Sequence, residues 1–211
     1  MIDKFPSVSE TIKKPELECI LESGYSKTWR VYFNETESTG TRTITSETGV
    51  EEVQYPIYNY NYIDGIYPSD QTPEALDIVK NYIIQKISSY DSSDDVNSFY
   101  LNGIKTWLDK PTRVGLMNST EIQKNSGLTR TVLWLGTVSL DIDINLAISL
   151  LSQLEIYALE AFNVTASHKK EVQGMKTIKE VLDFDYTSGY PEKLKLNTTD
   201  DSSSTNGNAN S

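Results

Sequence analysis

The dipeptide Asn102-Gly103 lies between two strand-like runs, Ser98-Phe-Tyr-Leu101 and Ile104-Lys-Thr-Trp-Leu108. A two-residue Asn-Gly link between such runs marks a type I′ hairpin, because both central residues need positive φ. The middle of the chain is thereby committed to antiparallel pairing. A second hairpin is expected from Leu128 to Ile142, turning at Gly136-Thr137. Between the two, a short helix is expected over Thr120–Asn125. Asn118 with Glu121 resembles its capping box, and Gly127 fits its end.

Helical spacing takes over downstream. Asp143 can cap a long helix from Ile144 to Phe162, with a core stripe of Ala147, Leu150, Leu151, Leu154, Ala158, Ala161 and Phe162. Leu146, Ile148, Tyr157 and Leu159 widen that stripe beyond half the circumference. A surface helix needs only about 100° of apolar face. This helix is therefore either central, covered on two sides, or part of a subunit interface. Shorter helices follow, one over Thr165–Met175 and one from Thr177 with Glu180 as its capping partner.

Upstream, Leu17 to Tyr67 favours strands. Thr28-Trp-Arg-Val-Tyr-Phe33 is aromatic and β-branched, and Thr41-Arg-Thr-Ile-Thr45 alternates. Thr72-Pro73-Glu74 opens a helix whose stripe is Leu76, Val79, Ile83 and Ile87, and Ser88–Asp95 reads as a polar linker. The fold class is α+β. Antiparallel β-hairpins pack with a long central helix and with the Leu76 helix, and a β-rich N-terminal portion precedes them. The chain is parsed as an extended arm over 1–15, a β-rich portion over 16–68, an α+β domain over 69–196 and a disordered tail over 197–211. That tail is rich in Ser, Asn, Thr and Asp.

Charge and rare residues narrow the function. With 30 Asp plus Glu against 19 Lys plus Arg, the net charge is -11. A nucleic-acid partner needs a basic footprint, and an anionic membrane repels such a chain. Met1–Pro6 has no apolar run for a leader, and no stretch approaches the roughly 18 apolar residues of a spanning helix. One cysteine, Cys19, and one histidine, His168, leave no internal disulfide and no multi-histidine metal centre. No catalytic, cofactor or metal residues are assigned.

The individual candidates read the same way. Asp141-Ile-Asp143 and Asp183/Asp185 have a spacing that a hard cation accepts, but Asp143 already serves as a cap. His168 lacks an orienting acid, and Cys19 in Leu17-Glu-Cys-Ile-Leu21 reads as a small packed residue. In Trp107-Leu-Asp109-Lys-Pro-Thr-Arg113, Pro111 is expected to set a turn, and Arg113 to pair with Asp109 or stack on Trp107.

The run Tyr55–Tyr67 holds five of thirteen tyrosines, and alternation puts Tyr58, Tyr60 and Tyr62 on one strand face. That face is either core against the Leu76 helix, a docking surface or a glycan platform. Phe5 in the arm, the three tyrosines, and Ile148, Ile156 and Leu159 on the long helix are the candidate interface residues. Ile156 stands among Asn145, Ser149, Gln153 and Glu160, where a core gives it no reason to be.

The stretches Asp95-Val-Asn-Ser-Phe-Tyr-Leu-Asn-Gly103 and Thr106-Trp-Leu-Asp-Lys-Pro-Thr-Arg-Val-Gly-Leu116 resemble an uncharacterised domain family of bacteriophages and prophages. Leu154-Glu-Ile-Tyr-Ala158 and Gly189-Tyr-Pro191 fit its later part. The resemblance covers roughly Pro73 to Lys195, and the family is attached to tail, tail-fibre and fibre-assembly proteins. It implies a non-enzymatic structural or adaptor protein of the virion, made and assembled in the host cytoplasm. Its expected partners are other virion chains (tail, fibre or portal-proximal), in a homo- or hetero-oligomer. The alternatives are a fibre-assembly chaperone absent from the mature particle and a tyrosine-based carbohydrate-binding module.

Overall fold

A computed structural model describes residues 5–46, 49–136 and 138–198. Its architecture is α+β, with antiparallel sheets, a β-rich N-terminal part and one helix of 31 residues. The chain divides into two compact units. The first takes residues 1–86 and 171–184, the second 87–170 and 185–211.

The first unit is built on a four-stranded antiparallel sheet in the order β1-β4-β3-β2. Its strands are β1 (Ser7–Glu10), β2 (Leu17–Glu22), β3 (Ser26–Ser46) and β4 (Gly49–Pro68). Helix α1 (Ala75–Asp91) begins in this unit. Odd positions of β4 face it. The α-carbon of Gly65 lies so close to Ile78 and the Tyr67 ring that an added Cβ would sit 2.9–3.1 Å from them. Asn81 Nδ2 donates to the Tyr67 hydroxyl at 3.0 Å. Val31, Ile63, Ile78, Val79 and Ile83 are buried, and α5 (Ile178–Leu182) adds Val181.

The arm expected over 1–15 is corrected over part of its length. Ser7–Glu10 is an edge strand, with Ser7 opposite Asn61 and Glu10 opposite Tyr58. Backbone pairing needs no side-chain pattern, so a polar strand of four residues shows no period. Met1–Lys4 lie outside the described residues.

The second unit is organised by α4 (Ile144–Gly174), of which residues 144–170 belong to it. Against α4 stand β5 (Phe99–Leu101) and β6 (Ile104–Thr106), joined by β9 (Lys195–Leu196) parallel to β5, and the hairpin β7 (Arg130–Leu135) with β8 (Val138–Asp143). Phe99, Leu101, Leu133, Leu135, Leu150, Leu151, Leu154, Tyr157 and Leu196 form its buried core. The Tyr157 hydroxyl donates to Val96 O at 2.7 Å, tying α2 (Asp94–Asn97) to this core.

The Asn-Gly turn is as expected, with φ of 49° at Asn102 and 81° at Gly103. Nothing lies within 4 Å of a Cβ at Gly103. The cost of Gly103→Val is therefore backbone strain alone, about 1–2 kcal/mol. A thermal midpoint lowered by a few degrees is expected, and an unchanged midpoint would contradict it.

Three helix expectations are corrected. Helix α3 runs over Lys110–Asn125, much longer than Thr120–Asn125, so Asn118 and Glu121 are interior and cap nothing. Asp109 is its true cap, accepting from Thr112 N at 2.7 Å, and Pro111 sits in the first turn, where a missing N–H costs nothing. The segment Ser88–Asp95 is mostly the end of α1 and the start of α2. The helices expected at Ile144–Phe162 and Thr165–Met175 are one. Buried Thr165 bonds to Asp91 Oδ1 at 2.7 Å and lies 2.9 Å from the Tyr190 hydroxyl, so tertiary contacts carry the helix past its β-branched stretch.

The helix caps predict an acid response. Backbone N–H groups hold three carboxyls below their ordinary values. Thr112 N–H acts on Asp109, Leu146 and Asn145 N–H on Asp143, and Lys176 N–H on Glu180. Each folded pKa lies below the unfolded one, so this stabilisation is complete above the ordinary carboxylate range and is lost as pH falls through the lowered folded values. The thermal midpoint should be level near neutrality and fall below about pH 4. Asp143→Asn should make that fall shallower, and an unchanged acid limb in the variant would contradict the assignment.

Candidate interaction surface

The tyrosine face of β4 is the first candidate. Tyr58, Tyr60 and Tyr62 share a face with Tyr32 of β3, which is paired directly with Tyr62. This is the face opposite α1, so the first of its three readings, core against the Leu76 helix, is corrected: the odd-numbered positions Gly65 and Tyr67 take that role. Tyr60 is buried, its ring 5.5 Å from that of Tyr32 and its hydroxyl accepting from Lys14 N at 3.0 Å. The Tyr32 hydroxyl donates to Glu18 Oε2 at 2.8 Å, and Lys14 Nζ lies 3.3 Å from the same carboxylate. Burial first, then the Glu18 carboxylate, pushes the Tyr32 hydroxyl up to about 12. That hydroxyl in turn holds Glu18 low.

Tyr62 lies under Arg30, whose guanidinium is 3.7 Å from the ring centroid and bonds both oxygens of Asp64 at 2.7 and 2.8 Å. Tyr60 is therefore sealed and Tyr62 capped by a cation, while Tyr58 is half-buried. A glycan platform needs open rings in a row, and this face does not offer them. Phe5 is also engaged within the chain, edge-on to Phe33 at 5.0 Å and 5.9 Å from Tyr82.

The long helix gives a different answer. Ile148 is half-buried, whereas Ile156 and Leu159 are each 58% exposed. Phe162, expected in the core stripe, is 60% exposed. The buried line runs through Ala147, Leu151, Leu154, Tyr157, Ala161 and Thr165. Phe162 lies one residue, about 100° of rotation, off that line. Ile156, Leu159 and Phe162 follow one another at three-residue steps and so form a continuous apolar ridge in water. Single exposed apolar residues are ordinary, but three large ones in two turns are a surface feature. Beside the ridge, Arg113 is buried, donating to Glu155 Oε1 and to Leu108 O, each at 2.9 Å. The expected pairing of Arg113 with Asp109 or Trp107 is thus replaced by a bond between α3 and α4.

Strand β7 carries a second open patch. Its inward residues are buried, and its outward ones include Val132 and Trp134, 57% and 62% exposed. These face away from the core beside Asp141 and Ser139 of β8. The alternation Arg130-Thr-Val-Leu-Trp-Leu135 is apolar on both faces from Val132 on, so the sequence itself carries the signal of this second patch.

The chemical candidates have structural employment. Asp141 pairs with Arg130 at 2.9 Å, and Asp143 caps α4 through Asn145 N and Leu146 N. Asp183 pairs with Lys179, and Asp185 accepts from Thr187 N. His168 stands edge-on to Tyr190 at 5.7 Å, within a cluster where Tyr90 packs on Tyr186 and Tyr190. Cys19, expected to pack, is exposed, because β2 is an edge strand whose register shifts beside it. No group of three or more potential metal ligands occurs, and no helix is long and apolar enough to cross a membrane, among the described residues. Family models, curated proteins and solved structures were all compared with the chain, and none matches it.

Proposed function

We propose that this chain is a non-enzymatic structural or adaptor protein of a bacteriophage tail or fibre apparatus, holding other virion chains by protein–protein contacts. The apolar ridge Ile156–Leu159–Phe162 carries the reading. Interfaces are centred on large apolar and aromatic side chains, and a ridge left in water by its own core is suited to a partner's groove. The outward Val132 and Trp134 add a second surface of the same kind. The phage context comes from the resemblance over Pro73–Lys195. A place in the virion, after assembly in the host cytoplasm, belongs to the same reading.

Mass spectrometry of purified particles of a phage encoding this chain tests it. The chain is expected in the particle at a fixed ratio to the tail proteins. Its presence in infected-cell lysate but not in particles would overturn the structural role in favour of an assembly factor.

A further inference from the structure

The paired strands β3 and β4 extend well past their neighbours. Strand β1 covers β4 only at Tyr58–Asn61, and β2 covers β3 only at Lys27–Val31. Ser38–Ser46 and Gly49–Ile57 pair with each other and with no other strand among the described residues. This is a two-stranded ribbon roughly 30 Å long. It leaves the sheet at a bulge, where Asn34 has a φ of 54° and the register shifts between Phe33 and Thr36. An isolated two-stranded ribbon is marginal in water, and a sheet face needs a second layer.

The two faces of the ribbon differ. One carries Thr39, Thr41, Thr43 and Thr45 opposite Pro56, Gln54, Glu52 and Val50, a largely polar surface. The other carries Ile57, Tyr55, Val53 and Glu51 opposite Ser38, Gly40, Arg42 and Ile44. On this face the Tyr55 ring and Ile57 lie over Gly40, where an added Cβ would sit 2.7–2.9 Å from them. The result is a flattened apolar surface with one cation, Arg42, and one anion, Glu51. Neither is in an ion pair among the described residues.

We propose that this face is covered by the same face of a second copy of the chain, forming a two-layer, four-stranded dimer contact. The charge pattern selects a like partner. A two-fold axis parallel to the strands, midway between the layers, sets β3 of each copy over β4 of the other. Position 42 then lies over position 53, and position 44 over position 51. Arg42 of one copy is displaced from Glu51 of the other by one same-face step, about 7 Å along the strand, within reach of two long side chains. Symmetry repeats the pair, so one isologous contact neutralises both charges and encloses the four apolar residues of each copy. The threonine face stays in water. Two faces of this length and about 10 Å width bury on the order of 600 Å², the size of a weak, concentration-dependent association. The contact is independent of the α4 ridge and of the phage reading.

Sedimentation equilibrium of the full chain over a wide concentration range tests it, with Arg42→Glu, Glu51→Arg and the double exchange, each verified by circular dichroism. A monomer–dimer equilibrium is expected. Each single exchange should weaken it at least tenfold, because like charges then face each other, and the double exchange should restore it. These positions are exposed, so the fold should survive. A monomer at every concentration, single variants that dimerise normally, or a double variant that is not restored would each overturn the proposal. Dimerisation abolished by Ile156→Asp but indifferent to Arg42→Glu would also overturn it, while leaving the ridge as an interface.

Discussion

Replacing Ile156 and Leu159 together by aspartate should weaken association with the partner chain by more than tenfold, about 1.4 kcal/mol or greater. Both side chains are more than half exposed, so their folded contacts are few. Folding should lose only the difference in helix propensity, about 0.5 kcal/mol for each aspartate. The thermal midpoint should therefore move by a few degrees while binding collapses. A titration of the variant against the purified partner, beside its melting curve, separates the two effects. Comparable losses in both would mean that the ridge is core rather than interface.

The largest effect on stability is expected at Phe99. It is fully buried at the centre of the second unit, on the short strand held between β6 and β9. Phe99→Ala removes a ring from a closely packed core and should cost about 3–5 kcal/mol. Domains are stable by only about 5–15 kcal/mol, so the second unit should be largely unfolded under mild denaturant. Trp134→Ala removes a larger ring from an exposed position on β7 and should change stability little. Urea unfolding of the two variants in parallel checks the pair. Equal destabilisation would contradict the assignment of inside and outside.

The same contrast explains what was readable beforehand. The Asn102-Gly103 turn, the β7–β8 hairpin and the Thr177/Glu180 cap are local devices, each set by a few adjacent residues, and all are found where expected. The α4 stripe was readable as an interior line. Its end was not, since Thr165 keeps the helix going through contacts with Asp91 and Tyr190 that lie 74 and 25 residues away. Asp109 and Pro111 did announce α3, but Pro111 suits a turn and a first helical turn equally, and only Thr112 N on the Asp109 carboxylate decides between them.

The interface candidates divide on the same principle. Alternation placed Tyr58, Tyr60 and Tyr62 on one face correctly. Which face met α1 depended on the register against β3, which alternation does not specify. Ile156 was readable because its helical neighbours are polar. Phe162 was assigned to the core because a broad stripe blurs a rotation of about 100°. The ribbon was hidden altogether, since a strand that outruns its neighbours has the same local pattern as one that does not.

The α4 ridge is expected to be covered by a partner chain in the assembled state. A photo-crosslinking amino acid placed in turn at positions 156, 159 and 162, in particles assembled in infected cells, reads this out, with the exposed position 43 on the threonine face of the β3–β4 ribbon as the control. Crosslinks are expected from the three ridge positions to one identified virion chain, and none from position 43. Ridge positions that crosslink no better than the control, in particles that contain the protein, would contradict it.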